Sequence, residues 1–460
     1  MFPAEKLLEK VAGAPADVLD KTIGISRGIA DAFHTRKHLQ IAKDYWHTLG
    51  PGLTTGAADD DPSGIATYSQ TGSQYGFQLL WLAGFTFPLM AIIQEMCARI
   101  GLVTGRGLAA NIRQYYPKWV LYICTALLFF ANTLNIGADL GAMAKGVQLI
   151  FPHLGFMALV FGFALFSLAL QIFTTYEKYA KYLKWLALIL ISYIFATLAI
   201  KNLNWNQIFT NAILPSLVFS KDQLILVTAV LGTTISPYLF FWQTSQEVEE
   251  QILGGKTTIK LRQEDTSSKE VKNMRLDIWS GMFLSNLVMF FIITACGATL
   301  FSHGITNITS SEQAATALRP FAGNQSYLLF ALGIIGTGLL AVPVLAGSAS
   351  YALSESFGWK YGLYRKLKEA NAFYGVIIIS TSIGLAINYL GLDPIKTLIY
   401  SAVLNGLISP VILILIVMIS SNTKIMGRWV NNKIISGLGW LITAMMTVAG
   451  VATIISNFIY

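Results

Sequence analysis

Three consecutive carboxylates followed by a proline are the most unusual chemical feature of the sequence. Asp59, Asp60, Asp61 and Pro62 lie within residues 50–74, a stretch that is otherwise apolar, small or hydroxyl-bearing. Proline removes a backbone donor and moves the preceding residue out of helical geometry, so this stretch is predicted to form a broken helix. The break frees backbone carbonyl oxygens beside the Asp61 carboxylate, and together these oxygens are suitable ligands for a cation.

A second proline interrupts another apolar stretch. Thr233, Thr234 and Ser236 precede Pro237, so small and hydroxyl-bearing residues again lie beside the predicted break. Two broken helices in matching positions, five spans apart, are typical of inverted-repeat transporters, whose substrate binds between the breaks midway through the membrane. Neither break has Lys, Arg, His, Cys or Met beside it, and such all-oxygen surroundings favour hard cations such as Mg²⁺, Mn²⁺ or Ca²⁺.

The composition places both breaks in a membrane protein. Hydrophobic residues make up 54% of the 460 residues and charged residues only 12%, about half of the ~25% that is usual in soluble domains. A loop between two short helices is the alternative interpretation of the first break, but its flanking pieces fall below the ~20 residues that cross a bilayer. Eleven membrane spans are predicted, at residues 50–74, 77–101, 118–148, 155–175, 185–200, 223–245, 276–301, 327–353, 371–391, 393–420 and 434–458.

The positions of the basic residues predict the orientation of these spans. With the N-terminus in the cytoplasm, 27 of the 32 Lys and Arg residues fall in segments that face inwards, as the positive-inside rule requires. We therefore expect a multi-pass plasma-membrane protein with a cytoplasmic tail, residues 1–47, and an external C-terminus. The net charge of +8 follows from this bias, so no nucleic-acid partner is predicted. Glu247, Glu249 and Glu250 are interpreted as a solvated helix end rather than an acidic vestibule.

At these residues the chain resembles the NRAMP family of divalent-metal transporters, which have a LeuT-type core. The resemblance covers nearly the whole chain, and its motifs are Gly50-Pro51-Gly52-Leu53, the Asp61-Pro62 break, Arg99–Gly105 and the Pro237 break. It implies an all-α polytopic membrane protein with a LeuT-type 5+5 inverted repeat, about eleven transmembrane helices, and broken helices one and six. The implied repeats are residues 48–201 and 222–420, followed by an additional helix at 434–458.

The chain departs from classical members of that family at both breaks. After Asp61-Pro62, Ser63 and Gly64 replace the family's Gly and its metal-binding Asn, while Ser236 replaces a metal-binding Met and Tyr238 a His. These replacements resemble the NRAMP-related magnesium transporters, a divergent branch that passes Mg²⁺ and Mn²⁺ without proton coupling. Losing the Met sulfur removes the preference for soft ions, which agrees with this branch.

The resemblance implies a metal site formed by Asp61, Gly64, Thr233 and Ser236. The Asp61 carboxylate would anchor the ion, the Thr233 carbonyl and the Ser236 hydroxyl would assist, and Gly64 would leave room for retained water. Mg²⁺ or Mn²⁺ is then the transported substrate rather than a cofactor, and the lipid bilayer is the other partner. No obligate protein partner is inferred.

Two alternatives remain open at the level of sequence. The first is proton-coupled Mn²⁺ transport of the classical type: a gap-free alignment puts the neutral Asn135 at one of the family's acidic positions, but a shifted alignment retains Asp139 at another. The second is an organic-substrate symporter, such as an amino-acid carrier, with the same core. The carboxylates at the first break would repel the carboxylate of an amino acid. An enzyme is not predicted, because we find no nucleophile–base pair, His metal site or phosphate-binding loop.

Overall fold

The structure of the chain, a computed structural model, describes residues 50–174, 191–201, 203–218, 220–308 and 310–459. Within these ranges the chain is helical and contains no β-strand. The predicted cytoplasmic tail, residues 1–47, and the first part of the predicted fifth span lie outside the described residues.

The first half of the chain contains the predicted first broken span. Short helices α4 and α8 lie in connections, and the end of the predicted fifth span is α7. The helices are α1 (Pro51–Asp59), α2 (Pro62–Tyr75), α3 (Trp81–Thr104), α4 (Leu108–Tyr115), α5 (Lys118–Ile150), α6 (Phe156–Phe173), α7 (Ile191–Leu198) and α8 (Trp205–Ile213).

The second half also begins with a broken span, and it ends with a long helix. Its helices are α9 (Lys221–Thr234), α10 (Pro237–Leu253), α11 (Ile259–Glu264), α12 (Ser268–Thr299), α13 (Ser311–Thr316), α14 (Arg319–Ala322), α15 (Ser326–Phe357), α16 (Asn371–Ile387), α17 (Pro394–Ser420), α18 (Thr423–Met426) and α19 (Lys433–Ile459).

The span prediction agrees with these helices. Nine helical segments among the described residues are long and apolar enough to cross a membrane, and the first span is present as two shorter helices. The sixth and seventh spans extend further than predicted, to Leu253 and from Ser268. The seventh begins there because Ser267 and Glu270 form a reciprocal capping box at its amino end. The boundaries of the two repeats stay a prediction.

Glycine contacts hold the first half-helix against the seventh span. A Cβ added to Gly56 would overlap the backbone of Gly281 on α12, and one added to Gly281 would overlap the carbonyl of Gly52. The two backbones therefore approach as closely as helices can, which only residues without a side chain allow. This glycine contact positions the end of α1, where the three carboxylates follow.

Candidate metal site

The first break lies where the sequence predicts it. Helix α1 ends at Asp59, the next two residues leave helical geometry, and α2 begins at Pro62. The Oδ1 atom of Asp61 accepts hydrogen bonds from the backbone N–H of Gly64 (2.7 Å) and from the Ser63 hydroxyl (2.6 Å). Asp61 is therefore the N-cap of α2, which fixes the direction of its carboxylate.

The second oxygen of Asp61 points towards two other spans. Asn135 on α5 donates its amide to Oδ2 at 2.9 Å, and the Tyr238 hydroxyl on α10 lies 3.5 Å from the same atom. The Asn135 carbonyl oxygen accepts a hydrogen bond from Ser401 on α17 (2.6 Å), which fixes the orientation of the amide. Asp61 is 1% exposed, so the carboxylate is enclosed by polar groups of two spans besides its own, one of which a third span orients.

The second break also lies where the sequence predicts it. Helix α9 ends at Thr234 and α10 begins at Pro237. The Ser236 hydroxyl donates its hydrogen to the carbonyl oxygens of Gly232 (2.6 Å) and Thr233 (2.5 Å), which share it. A carbonyl oxygen has two lone pairs, so the Thr233 carbonyl keeps one for a further partner.

Two tyrosines connect the breaks. Tyr238, just after the second break, donates its hydroxyl to the Ala58 carbonyl at the end of α1 (2.8 Å). Tyr68 on α2 accepts a hydrogen bond from the Thr233 hydroxyl (3.1 Å) and lies 3.5 Å from that of Thr234. These contacts link the two broken spans by buried hydrogen bonds at both breaks, and we call the linked residues, together with Asp61 and its partners, the polar cluster.

Gly64 contacts Asp61 through its backbone N–H. A Cβ at this position would lie 3.1 Å from the Asp59 carbonyl oxygen and 3.4 Å from the Tyr68 ring. The space beside Gly64 is thus bounded by these two groups. A side chain at this position would press on both groups, so little free space remains beside Gly64.

The other carboxylates near the break differ from Asp61 in their contacts. The Oδ2 atom of Asp59 accepts a hydrogen bond from Ser285 on α12 (2.7 Å), on a different side of the break. In the described part of the chain, the Oδ1 atoms of Asp59 and Asp60 have no hydrogen-bond partner. The same is true of both carboxylate oxygens of Asp139. All three side chains are buried.

A polar ladder leads from the site towards the start of α1. The Thr55 hydroxyl donates to the Gln243 side chain (2.5 Å), whose amide donates to Glu247 one turn further along α10 (2.8 Å). Glu247 is 6% exposed and Glu249 2%, whereas Glu250 is exposed. The interpretation of these residues as a solvated helix end was therefore wrong for Glu247 and Glu249, because α10 continues beyond the apolar segment and buries both side chains in the bundle.

Asp277 on α12 binds the amino end of α1. Its two carboxylate oxygens accept hydrogen bonds from the backbone N–H groups of Gly50 (2.8 Å), Gly52 (2.6 Å) and Leu53 (3.1 Å). A carboxylate at a helix amino end satisfies unpaired donors and complements the helix dipole. We call Asp277 and these three N–H groups the α1 clasp.

The cluster contains oxygen and amide groups, and its chemistry follows from them. Among the described residues, no group of three or more His, Cys, Asp or Glu side chains is arranged to hold a metal. A cation here would instead combine one carboxylate with carbonyl and hydroxyl oxygens, which suits a hard ion that keeps part of its water. The sequence did not predict that Asn135, Ser401 and Tyr68 would join this cluster, because each lies far along the chain from its partner.

Comparison with known proteins agrees with this architecture. The family model described as "Natural resistance-associated macrophage protein-like" matches residues 52–456. The chain belongs to the Nramp family. One Nramp relative, the divalent metal cation transporter MntH of Klebsiella pneumoniae, is 25% identical over 406 residues, which cover 86% of this chain and 91% of that protein.

Solved structures of transporters share the fold of this Nramp chain. The Eremococcus coleocola manganese transporter, in complex with an aromatic bis-isothiourea compound, matches with a TM-score of 0.70 at 18% identity, covering 90% of this chain and 88% of the other. Mhp1, a nucleobase-cation-symport-1 family transporter, matches with a TM-score of 0.50 at 12% identity, covering 89% and 91%. The LeuT-type fold is confirmed. The chain is a multi-pass membrane transporter rather than an enzyme.

Proposed function

We propose that this Nramp protein transports the hard divalent cations Mg²⁺ and Mn²⁺ across the plasma membrane by alternating access, without coupling to protons. The N-terminus would face the cytoplasm and the C-terminus the outside, as the distribution of Lys and Arg predicts. The relatives named above are a divalent metal cation transporter and a manganese transporter, which supports a divalent cation as the substrate.

The proposed preference for hard cations rests on one observation. The groups that contact the Asp61 carboxylate are hydroxyl, amide and backbone N–H groups, and neither sulfur nor imidazole is among them. Ions that prefer thioether or imidazole ligands gain little from such a site, whereas Mg²⁺ and Mn²⁺ prefer oxygen. Asp61 would anchor the ion, and Thr233 would add its free carbonyl lone pair.

Ser236 and Gly64 complete the proposed site. The Ser236 hydroxyl keeps its lone pairs for an ion or for an ion-bound water, because its hydrogen is donated to backbone carbonyls. Gly64 would contribute its backbone N–H, which orients the Asp61 carboxylate through Oδ1 and places no side chain beside it. Waters would occupy the remaining positions of the shell, as is usual for Mg²⁺. The division into residues 48–201, 222–420 and 434–458 belongs to the same proposal.

The absence of proton coupling is supported by the neutral side chains that bind the Oδ2 atom of Asp61. Asn135 and Tyr238 carry no charge at neutral pH, and they lie at positions where classical members, by the resemblance, carry an acidic residue and a His. Uptake of a divalent ion needs no proton gradient, because moving two charges across 100 mV is worth about 4.6 kcal/mol, roughly a 10³-fold concentration ratio.

Asp139 favours a second candidate function, proton-coupled Mn²⁺ transport. This carboxylate is buried one helical turn from Asn135 and has no hydrogen-bond partner among the described residues, so it is the site where a coupled proton would bind. Internal pH measured during Mn²⁺ uptake into proteoliposomes separates the two functions. Acidification that follows Mn²⁺ entry, and disappears in Asp139→Asn, would replace the uncoupled proposal.

The central test compares Mg²⁺, Mn²⁺ and Cd²⁺ flux into proteoliposomes. We expect the parent to transport Mg²⁺ and Mn²⁺ but little Cd²⁺, and Asp61→Ala to lose flux of all three. The matched control is Asp265→Ala, which removes a carboxylate that is 73% exposed; its flux should equal that of the parent. Strong Cd²⁺ flux in the parent, or full Mg²⁺ flux in Asp61→Ala, would refute the proposed site.

A further inference from the structure

One face of α17 contacts both halves of the candidate site. Ser401, Asn405 and Ser409 are spaced four residues apart, so their side chains lie on the same side of the helix. Ser401 donates to Asn135, the residue that holds Asp61 (2.6 Å), and Ser409 donates to the carbonyl oxygen of Ile235 in the second break (2.6 Å). Asn405 therefore lies between two contacts with the site, about one helical turn from each.

The side-chain amide of Asn405 has no hydrogen-bond partner among the described residues, although its backbone carbonyl accepts from the Ser409 hydroxyl (2.9 Å). The residue is 1% exposed, and within the described part of the chain neither the oxygen nor the nitrogen of its amide is hydrogen-bonded. It lies in the segment Pro394–Ser420, whose mean hydropathy reaches 2.7. Buried amides nearly always have a partner in the protein or an ordered water, so we expect a water, free or bound to an ion, at this amide.

Backbone packing sets Asn405 at the depth of the second break. A Cβ added to Gly232 would overlap the carbonyl oxygen of Ala402 and the backbone nitrogen of Gly406. Gly232 immediately precedes Thr233, whose carbonyl belongs to the proposed site. The turn of α17 that carries Asn405 is thus pressed against the end of α9 at the level of Thr233.

We propose that Asn405 determines ion specificity by accepting a hydrogen bond from a water that the transported cation retains. This inference deepens the proposed function and rests on it. Mg²⁺ dehydrates more reluctantly than other divalent ions, so an amide that binds an ion-bound water favours Mg²⁺ over Mn²⁺. Partners of this kind, which bind the ligands of a metal rather than the metal, typically change affinity 10–100-fold when removed.

The test measures ion binding by the purified full-length chain in detergent, as the rise in melting temperature with added Mg²⁺ or Mn²⁺. We expect Asn405→Leu, of similar size, to weaken Mg²⁺ binding about 10–100-fold and Mn²⁺ binding less. Its melting temperature without ions should stay at or above that of the parent, because the unpaired amide is removed. Asn405→Asp, which keeps an oxygen acceptor, should bind Mg²⁺ at least as well as the parent.

Asn371→Leu, the same exchange at an exposed position of α16, is the control and should bind both ions like the parent. Unchanged Mg²⁺ affinity in Asn405→Leu, or an equal loss for both ions, would overturn the assignment to the hydration shell. A fall in the melting temperature without ions would show that the amide has a structural role instead. If the parent itself bound neither ion, the proposed function would fail rather than the role of Asn405.

Discussion

The α1 clasp gives the sharpest quantitative prediction. Asp277 is the acceptor for three backbone N–H groups, and two of them belong to the buried residues Gly52 and Leu53. Replacing Asp277 by Ala leaves these two buried donors without their partner, at about 1–3 kcal/mol each. We therefore expect Asp277→Ala to destabilise the packed position of α1 against α12 by about 2–6 kcal/mol.

Cysteine labelling measures this change directly. Thr55 on α1 is fully buried, as are the three native cysteines, so a Thr55→Cys variant should react slowly with a water-soluble maleimide. A shift of 2 kcal/mol in the opening of α1 corresponds to about a 30-fold higher labelling rate. We expect at least this increase when Asp277→Ala is added to Thr55→Cys.

The control for this experiment is Thr55→Cys combined with Asp265→Ala, which removes an exposed carboxylate. Labelling there should match that of Thr55→Cys alone. If Asp277→Ala left the rate unchanged, the clasp would contribute nothing to holding α1, and the reasoning from unpaired donors would be refuted. Size-exclusion chromatography in detergent separates local opening of α1 from loss of the whole fold.

Two further predictions concern close packing and the bridge between the breaks. Gly281→Ala should lower the yield of folded protein in detergent, because its Cβ would overlap the Gly52 carbonyl. The control is Gly162→Ala on α6, which has open space around it and should be tolerated. Equal yields of the two variants would contradict this prediction. Tyr238→Phe removes the hydroxyl that binds the Ala58 carbonyl, at about 1 kcal/mol, so we expect the transport KM for Mg²⁺ to rise about fivefold. An unchanged KM would show that this bridge does not support the site.

The broken helices were predictable because proline acts locally. Pro62 and Pro237 each exclude helical geometry at the preceding residue, whatever surrounds them, and both breaks occur within one or two residues of these prolines. The positions of the spans were predictable for a similar reason, since a bilayer selects long apolar helices. Their ends were less predictable, because helices such as α10 and α12 continue beyond the apolar segment.

The partners of the site residues were not predictable from local sequence. Asn135 and Asp61 are separated by 74 residues, and the α1 clasp joins residues that are more than 220 apart. Such pairs depend on how helices rotate and pack, which periodicity does not specify. The burial of Glu247 was missed for the same reason: its charge indicated solvent, but α10 packs this residue against Gly101 on α3.

Asp61 performs two tasks with one carboxylate, and this has a consequence for transport. Its Oδ1 atom caps α2 through Gly64 and Ser63, while Oδ2 faces Asn135 and Tyr238. A cation drawn to this carboxylate competes with the capping donors for the same electron pairs. With Asp61 as the proposed anchor, ion binding would loosen the first turn of α2, so that occupancy of the site would change the packing of this half of the first span.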